Sequence, residues 1–276
     1  MKIKTADLNE IKTLVSWAAK EGWNPGLNDA ECYALADSEG FLVAYLDKKM
    51  VASISAIKYQ RFAFIGFYIV KPEYRGKGLG WQLWQHTMNQ LNGFNVALDG
   101  VVEQQNNYKK SGFKWAHNNI RYQWLNQQQK TTQHSESVET TSDAAINNYL
   151  QAYFPARRDA FNQAWQQQTN AQARLIRHGD SIKAYGVIRR CQDGYKIGPL
   201  FAENKTLASQ LLNDLCTQAD IGAYIYLDVP EPNHFAQQIM SAKNAEKVFE
   251  TARMYTASEP DIGLANTYGI TSFEVG

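Results

Sequence analysis

One short run of residues carries chemistry on its face: Arg75-Gly76-Lys77-Gly78-Leu79-Gly80. An apolar stretch from Phe62 to Val70 leads into it, and a helical pattern from Leu79 to Leu91 leaves it. Glycine at every second position strips away side chains, so successive backbone N–H groups can turn inward on an anion. The positive end of the following helix points at the same place, and Arg75 and Lys77 add full charges. The segment therefore reads as a seat for a pyrophosphate. A bare G-x-G also serves as a simple turn; what separates the two readings is the order strand, arginine, glycines, helix. A phosphate-loop NTPase is excluded, because Gly78-Leu79-Gly80 is followed by Trp81-Gln82 rather than Lys-Ser/Thr. No G-x-S-x-G nucleophile elbow is present. The histidines fall on separate elements, and the grouping of His234 with Asp228 and Glu231 reads as a strand end followed by a helix cap, so no metal is expected.

The run resembles the R/Q-x-x-G-x-G/A signature of the GNAT superfamily of N-acetyltransferases. Gly22-Trp23-Asn24-Pro25-Gly26, Gly66-Phe67-Tyr68-Ile69-Val70 and Asn107-Tyr108-Lys109-Lys110-Ser111-Gly112-Phe113 are similar to strings of the YitH-type members, in which a GNAT domain precedes a second, GNAT-like one. The resemblance covers nearly the whole chain. It implies an α/β (α+β) fold of two tandem domains, each a mixed, mostly antiparallel sheet flanked by helices. It also implies acetyl-CoA as co-substrate and direct attack by a primary amine in a ternary complex.

On that resemblance, the strand edge at Tyr68, Ile69 and Val70 would bind the pantetheine arm, and Arg75, Gly76, Lys77, Gly78, Leu79 and Gly80 the pyrophosphate. Tyr108 matches the tyrosine that contacts the CoA sulfur. A phenol of pKa ~10 can protonate a thiolate whose conjugate acid is near ~8.5; the other reading is an aromatic that packs helix on sheet. Many members carry a glutamate on the strand matching Phe62–Val70, and this chain has no acid there. That leaves a water chain or another carboxylate. Asp99, at the end of the neighbouring strand, is one candidate base, or else a turn aspartate before Gly100. Asp29 and Glu31 fall in the helix that overhangs the acceptor site in such folds, where they would recognise a cationic amine or simply be solvated. Trp23 and Asn24 are candidate pocket walls.

These residues need a scaffold, and the patterning supplies it. Asp7 can cap a helix to about Lys20, and a second follows from about Asn28 to Ala36. Gly40–Leu46 and Met50–Lys58 read as a hairpin, and Phe62–Val70 as a strand covered on both faces. Helix Leu79–Leu91, strand Phe94–Asp99, a short helix through Tyr108 and strand Phe113–Trp124 complete the unit. Asn126–Thr141 is polar and reads as a linker, since it has little apolar area with which to offset the entropy of ordering. The expected division is 1–128, a linker at 129–141, and 142–276. The second part repeats the order: helical patterns over Asp143–Gln168, a hairpin of Ala173–Arg177 and Lys183–Cys191, strand Tyr195–Leu200, helix Lys205–Gln218, strand Ala223–Val229, helix Asn233–Lys243 and strand Lys247–Tyr255. Ile197-Gly198 follows Ile65-Gly66 by 132 residues and Leu227-Asp228 follows Leu98-Asp99 by 129, as in a diverged duplication. The second copy has Phe201-Ala202-Glu203-Asn204-Lys205 in place of the glycine loop and Met240 in place of Tyr108, so it is not expected to bind CoA in the ordinary way.

Composition excludes several classes. The 276 residues are 44% hydrophobic and 20% charged, and 28 basic against 27 acidic residues leave a net charge of +1. This balance gives no general attraction to nucleic acid or anionic membranes. Three scattered cysteines suit neither a disulfide framework nor a zinc site. With no signal-peptide pattern and no apolar run of spanning length, a cytoplasmic location is expected. The expected partner is a small-molecule amine, and the chain is a monomer or a homodimer. Two rival readings stay open: a noncatalytic acyl-CoA sensor, and a protein N-acetyltransferase.

Overall fold

The computed structural model describes residues 1–129 and 133–276; the middle of the expected linker, residues 130–132, lies outside the described residues. The first part runs β1 (Lys2–Thr5), α1 (Leu8–Lys20), α2 (Asp29–Ala36), β2 (Phe41–Leu46), β3 (Lys49–Tyr59), β4 (Phe62–Val70), α3 (Leu79–Gln90), β5 (Asn95–Val101), α4 (Gln105–Lys110) and β6 (Lys114–Leu125). The second runs β7 (Glu136–Ser137), α5 (Asp143–Leu150), α6 (Asp159–Gln167), β8 (Ala171–His178), β9 (Ser181–Arg190), β10 (Tyr195–Ala202), α7 (Lys205–Cys216), β11 (Tyr224–Pro230), α8 (His234–Ala242), β12 (Glu246–Tyr255) and β13 (Thr267–Gly269). Asp7 does cap α1: its carboxylate accepts from the Glu10 N–H while Glu10 accepts from the Asp7 N–H.

The strands join in one sheet, ordered β1-β2-β3-β4-β5-β12-β6-β11-β10-β9-β8-β7, with β13 beside β10. Two pairings are parallel, β4 with β5 and β10 with β11; the rest are antiparallel. The centre of this order departs from the sequence reading. β6 does not complete the first unit: it lies between β11 and β12, and β12 in turn pairs with β5. The two halves exchange their last long strands.

Both faces of β4 are covered, as its composition requires. Phe62, Phe64 and Phe67 enter a core built on α1, α2, α5 and α6, while Ala63 and Ile65 enter one built on α3. A third core lies under α7 and α8. The first of these draws on both halves: Tyr33 of α2 lies 5.9 Å from Trp165 of α6.

The described part of the expected linker is docked rather than free. The buried Asp214 carboxylate accepts from the N–H groups of His134 and Ser135 at 2.8 and 2.7 Å, and β7 pairs with β8. Hydrogen bonds to a buried charge hold this stretch where apolar burial is scarce. The segment after β12, for which the sequence offered no reading, is buried from Thr267 to Gly276. It crosses the sheet centre, with Ser55 Oγ donating to the Glu274 carbonyl and the Tyr59 hydroxyl to that of Val275.

Candidate active site

Parallel pairing of β4 with β5 runs from Phe62/Asn95 to Ile65/Leu98 and stops there, although both strands continue. Phe67 forces the divergence. It sits at φ 46°, the β3–β4 register slips beside it, and the Ser53 hydroxyl donates to its carbonyl at 2.8 Å. A bulge of this kind bends a strand away from its neighbour. The gap opens into a cleft of about 620 Å³ whose walls include Gly66, Tyr68, Val70, Gly78, Gly80 and Tyr108.

At one end of the cleft the glycine loop has the form that an anion seat needs. Gly76 and Gly78 have φ of 73° and 75°, and Gly78 is the N-cap of α3. Among the described residues, no backbone acceptor takes the N–H groups of Gly76, Lys77 or Gly78. The first N–H groups of α3 are free in the same way, as at any helix start. The loop thus fits a pyrophosphate. Of the expected loop contacts only Lys77 is absent from the cleft wall; its ammonium donates to the Glu73 carbonyl at 2.9 Å and lies 5.4 Å from the Tyr74 ring centroid. Arg75 lines the cleft but is bonded, to the Val70 carbonyl through Nε at 2.8 Å and to Glu21 through Nη2.

Tyr108 stands further along the cleft, packed on Trp84 (centroids 5.6 Å apart) and Phe113 (6.4 Å). Its ring lies flush against β5, where a Cβ at Gly100 would be 2.3 Å from Cε2. Burial, with a smaller contribution from the Tyr68 phenol, pushes the Tyr108 hydroxyl above its ordinary range. Burial raises Tyr68 to about 12. Among the described residues neither hydroxyl has a protein hydrogen-bond partner, so both are free to donate.

The cleft passes through the sheet. Leu98 belongs to the core on the α3 side, and Asp99, next along β5, faces the other way. There the wall is made by Trp23, Phe249, Thr251 and Phe273, the last three from the second half of the chain. Arg121 holds this wall together. Its guanidinium lies 4.9 Å from the Phe273 centroid and 5.7 Å from that of Phe249, and Nη1 donates to the Trp23 carbonyl at 2.6 Å.

The acids and amide expected beside an acceptor are elsewhere, apart from Asp99. Asp29 is fully buried, and its carboxylate accepts from Arg189, the Gly26 N–H and the Tyr33 hydroxyl, joining α2 to β9. Glu31 pairs with Lys12 at the surface. Asn24 bonds both ways with the Asp193 backbone. Asp99 reaches the cleft wall, but Arg253 donates to both its oxygens, at 2.7 and 2.6 Å, and Asn119 donates to Oδ1 at 2.8 Å. A carboxylate so bound is a strut between strands, not a free base. Phe249, Thr251 and Phe273 escaped the sequence reading because they sit on the exchanged strand and the tail. A faint signal existed: Arg121 and Arg253 are spaced by the same 132 residues as Ile65 and Ile197.

The second half repeats the divergence and fills it. Pairing of β10 with β11 stops at Ile197/Leu227, the counterparts of Ile65/Leu98. β13 then pairs with β10 at Leu200/Gly269, and the Ile270 N–H donates to the Asp228 carbonyl at 2.9 Å. A strand of the same chain occupies what is a cleft in the first half.

Comparison with known proteins agrees with this architecture. The Acetyltransferase (GNAT) family matches residues 8–113, and an Acetyltransferase (GNAT) domain matches residues 146–269. Holothin acyltransferase of Pseudoalteromonas sp. (strain SANK 73390) is 30% identical over 275 residues, covering 99% of this chain and 94% of that protein. A crystal structure described as that of an acetyltransferase from Pyrococcus horikoshii superposes with a TM-score of 0.85 at 20% identity, over 100% of this chain and 95% of that one. A tandem GNAT protein from the clavulanic acid biosynthesis pathway gives a TM-score of 0.62 at 10% identity, over 94% and 99%. The two family matches in tandem, the full-length relative and the shared fold together show that the chain belongs to the GNAT family and is a GNAT-type acyltransferase.

Proposed function

We propose that the protein transfers an acetyl group from acetyl-CoA to the primary amine of a small molecule, by direct attack in a ternary complex. One observation carries the reading: the unpaired β4 edge, the free amides at Gly76 and Gly78 and the Tyr108 phenol line one continuous cleft. In this reading the pyrophosphate lies on the glycine loop and the pantetheine arm along Tyr68–Val70. The amine attacks the thioester carbon from the Phe249 side. As the C–S bond breaks, the amine loses a proton to water and Tyr108 gives its own to the departing sulfur, so charge balances. Many enzymes of acyl transfer supply an oxyanion donor, and a β4 N–H beside the bulge is our candidate. The units of duplication are 1–128 and 142–276, with acceptor recognition supplied largely by the second. Holothin, the substrate named for the relative, is the first acceptor to assay. The three cysteines are free and buried, which fits a reducing cytoplasm, and among the described residues no helix is long and apolar enough to cross a membrane.

Calorimetry with acetyl-CoA, followed by thiol release across an amine panel, tests this. One site per chain and turnover with some amine are expected. Absence of acetyl-CoA binding overturns the reading, and binding without transfer to any amine favours an acyl-CoA sensor instead.

A further inference from the structure

Among the described residues, the acceptor wall of the cleft carries no buried carboxylate or imidazole free to deprotonate a cationic amine. An ammonium must lose a proton before it can attack, and a site that takes it in that form offers a free carboxylate or imidazole, directly or through a water chain, to deprotonate it. Among the described residues, three carboxylates line this cleft. Asp99 is saturated by Arg253 and Asn119, Glu21 is paired with Arg75, and Glu103 is exposed on the turn after β5. Glu274 is buried in the tail, off the cleft wall; Ser272 and Tyr33 donate to its Oε2, while its Oε1 has no partner among the described residues. What the site does present is aromatic surface, together with one orphaned polar atom. Thr251 is 2% exposed and lines the cleft, and its Oγ1 has no hydrogen-bond partner among the described residues. Its partner across the β6–β12 pair is Asn119, whose Oδ1 is likewise buried and unpaired while its amide donates to Asp99. Buried polar atoms without partners are uncommon, and one on a cleft wall points to a partner that arrives with the ligand.

We propose that the acceptor is a planar amine already uncharged near pH 7, received against Trp23, Phe249 and Phe273 with one of its polar groups on Thr251 Oγ1. This rests on the acyltransferase reading above. Such an amine needs no base to become nucleophilic, which accounts for the absence of an acid on β4 and for the locking of Asp99. Flat apolar walls held by Arg121 suit a ring better than a flexible aliphatic chain.

The test compares two acceptors of similar size on the full chain at saturating acetyl-CoA: 2-aminobenzamide, a weakly basic arylamine with a neighbouring amide, and benzylamine, which is cationic at neutral pH. At pH 7 the arylamine is expected to show a kcat/KM at least ~10-fold higher, with a profile flat between about pH 6 and 9. Preference for benzylamine, or transfer to neither while acetyl-CoA binds, overturns the proposal. Thr251→Val is expected to raise the arylamine KM ~10-fold with kcat and the acetyl-CoA KM within ~2-fold, and Thr251→Ser to restore it. An unchanged KM in Thr251→Val overturns the Thr251 contact. Glu103→Gln is expected to leave the pH profile flat; loss of transfer there would assign deprotonation to that carboxylate and overturn the proposal. Failure to bind acetyl-CoA would sink the acyltransferase reading, whereas binding and transfer with the wrong amine preference sink only this inference.

Discussion

Arg253 on β12 faces Asp99 on β5 as its register partner and donates to it through Nε and Nη2, at 2.7 and 2.6 Å. Arg121 on β6 stands in the same relation to Asp228 on β11, at 2.6 and 2.8 Å. Each pair joins one half of the chain to the other, so the exchanged strands are locked by two buried, reciprocal ion pairs. Removing one member leaves a buried charge without its counterpart, which costs about 3–5 kcal/mol. Asp99→Asn is therefore expected to unfold at markedly lower urea while the folded fraction keeps its activity and pH profile. A stable Asp99→Asn protein with abolished turnover would restore Asp99 as a base.

Tyr108 is held by its packing rather than by hydrogen bonds, so its placement and its chemistry can be tested apart. Tyr108→Phe keeps the ring and is expected to lower kcat by about 10²-fold with acetyl-CoA affinity within about two-fold, the range for loss of a general acid. Because burial raises its pKa, the phenol stays protonated through neutral and mildly alkaline pH, and this group adds no alkaline decline to the rate. Gly100→Ala puts a methyl where the ring lies and should produce a similar kcat defect with the hydroxyl still present. Unchanged turnover in Tyr108→Phe would reduce Tyr108 to a packing residue.

The glycine-loop end of the cleft was legible in sequence, and the wall built by β12 and the tail was not. Strand, loop and helix around Arg75–Gly80 are local, with glycines whose φ values only a glycine adopts at little cost, and the duplication could be seen in Ile65-Gly66 and Ile197-Gly198. Strand partners are a different matter. Periodicity places β6 and β12 as strands without saying that each crosses to the other half, because pairing energy depends on neighbours far away in sequence. Asp29 misled for a related reason. An acid in a short helix is ordinarily solvated, and here the distant Arg189, with the Gly26 N–H and the Tyr33 hydroxyl, makes its burial tolerable.

Glu21 and Arg75 form an ion pair at the mouth of the cleft, with side chains 31% and 49% exposed, beside the loop proposed to hold a pyrophosphate. A pair this exposed contributes little to stability. It does compete with an incoming anion for the guanidinium. Glu21→Gln is expected to tighten acetyl-CoA binding by about three-fold at low salt, an advantage that shrinks as ionic strength rises. Arg75→Ala should weaken binding by about ten-fold. Calorimetry at two salt concentrations checks both, and looser binding in Glu21→Gln would show that the carboxylate holds Arg75 in its working position.

His117 makes stability depend on pH. It is 5% exposed on β6, and burial, then the neighbouring Arg253, pulls its pKa down to about 3. The Glu259 carboxylate 3.2 Å from Nδ1 is 44% exposed, too well solvated to offset this. In the unfolded chain the imidazole titrates near ~6.5, so between that value and about 3 the unfolded state binds the additional proton. Stability is then complete above about pH 6.5 and falls as pH drops, by on the order of 2 kcal/mol at pH 5. Asp228 loses its contribution only at lower pH, because burial, which raises its carboxyl, is outweighed by the charge and hydrogen bonds of Arg121 together with Lys196 and Arg189, which hold it below the usual range. His117→Gln should therefore flatten the decline between pH 6.5 and 5 without altering the steeper loss in stronger acid. Urea unfolding at pH 7.5, 6 and 5 measures it, and equal slopes for the two proteins would mean that another group takes up the proton.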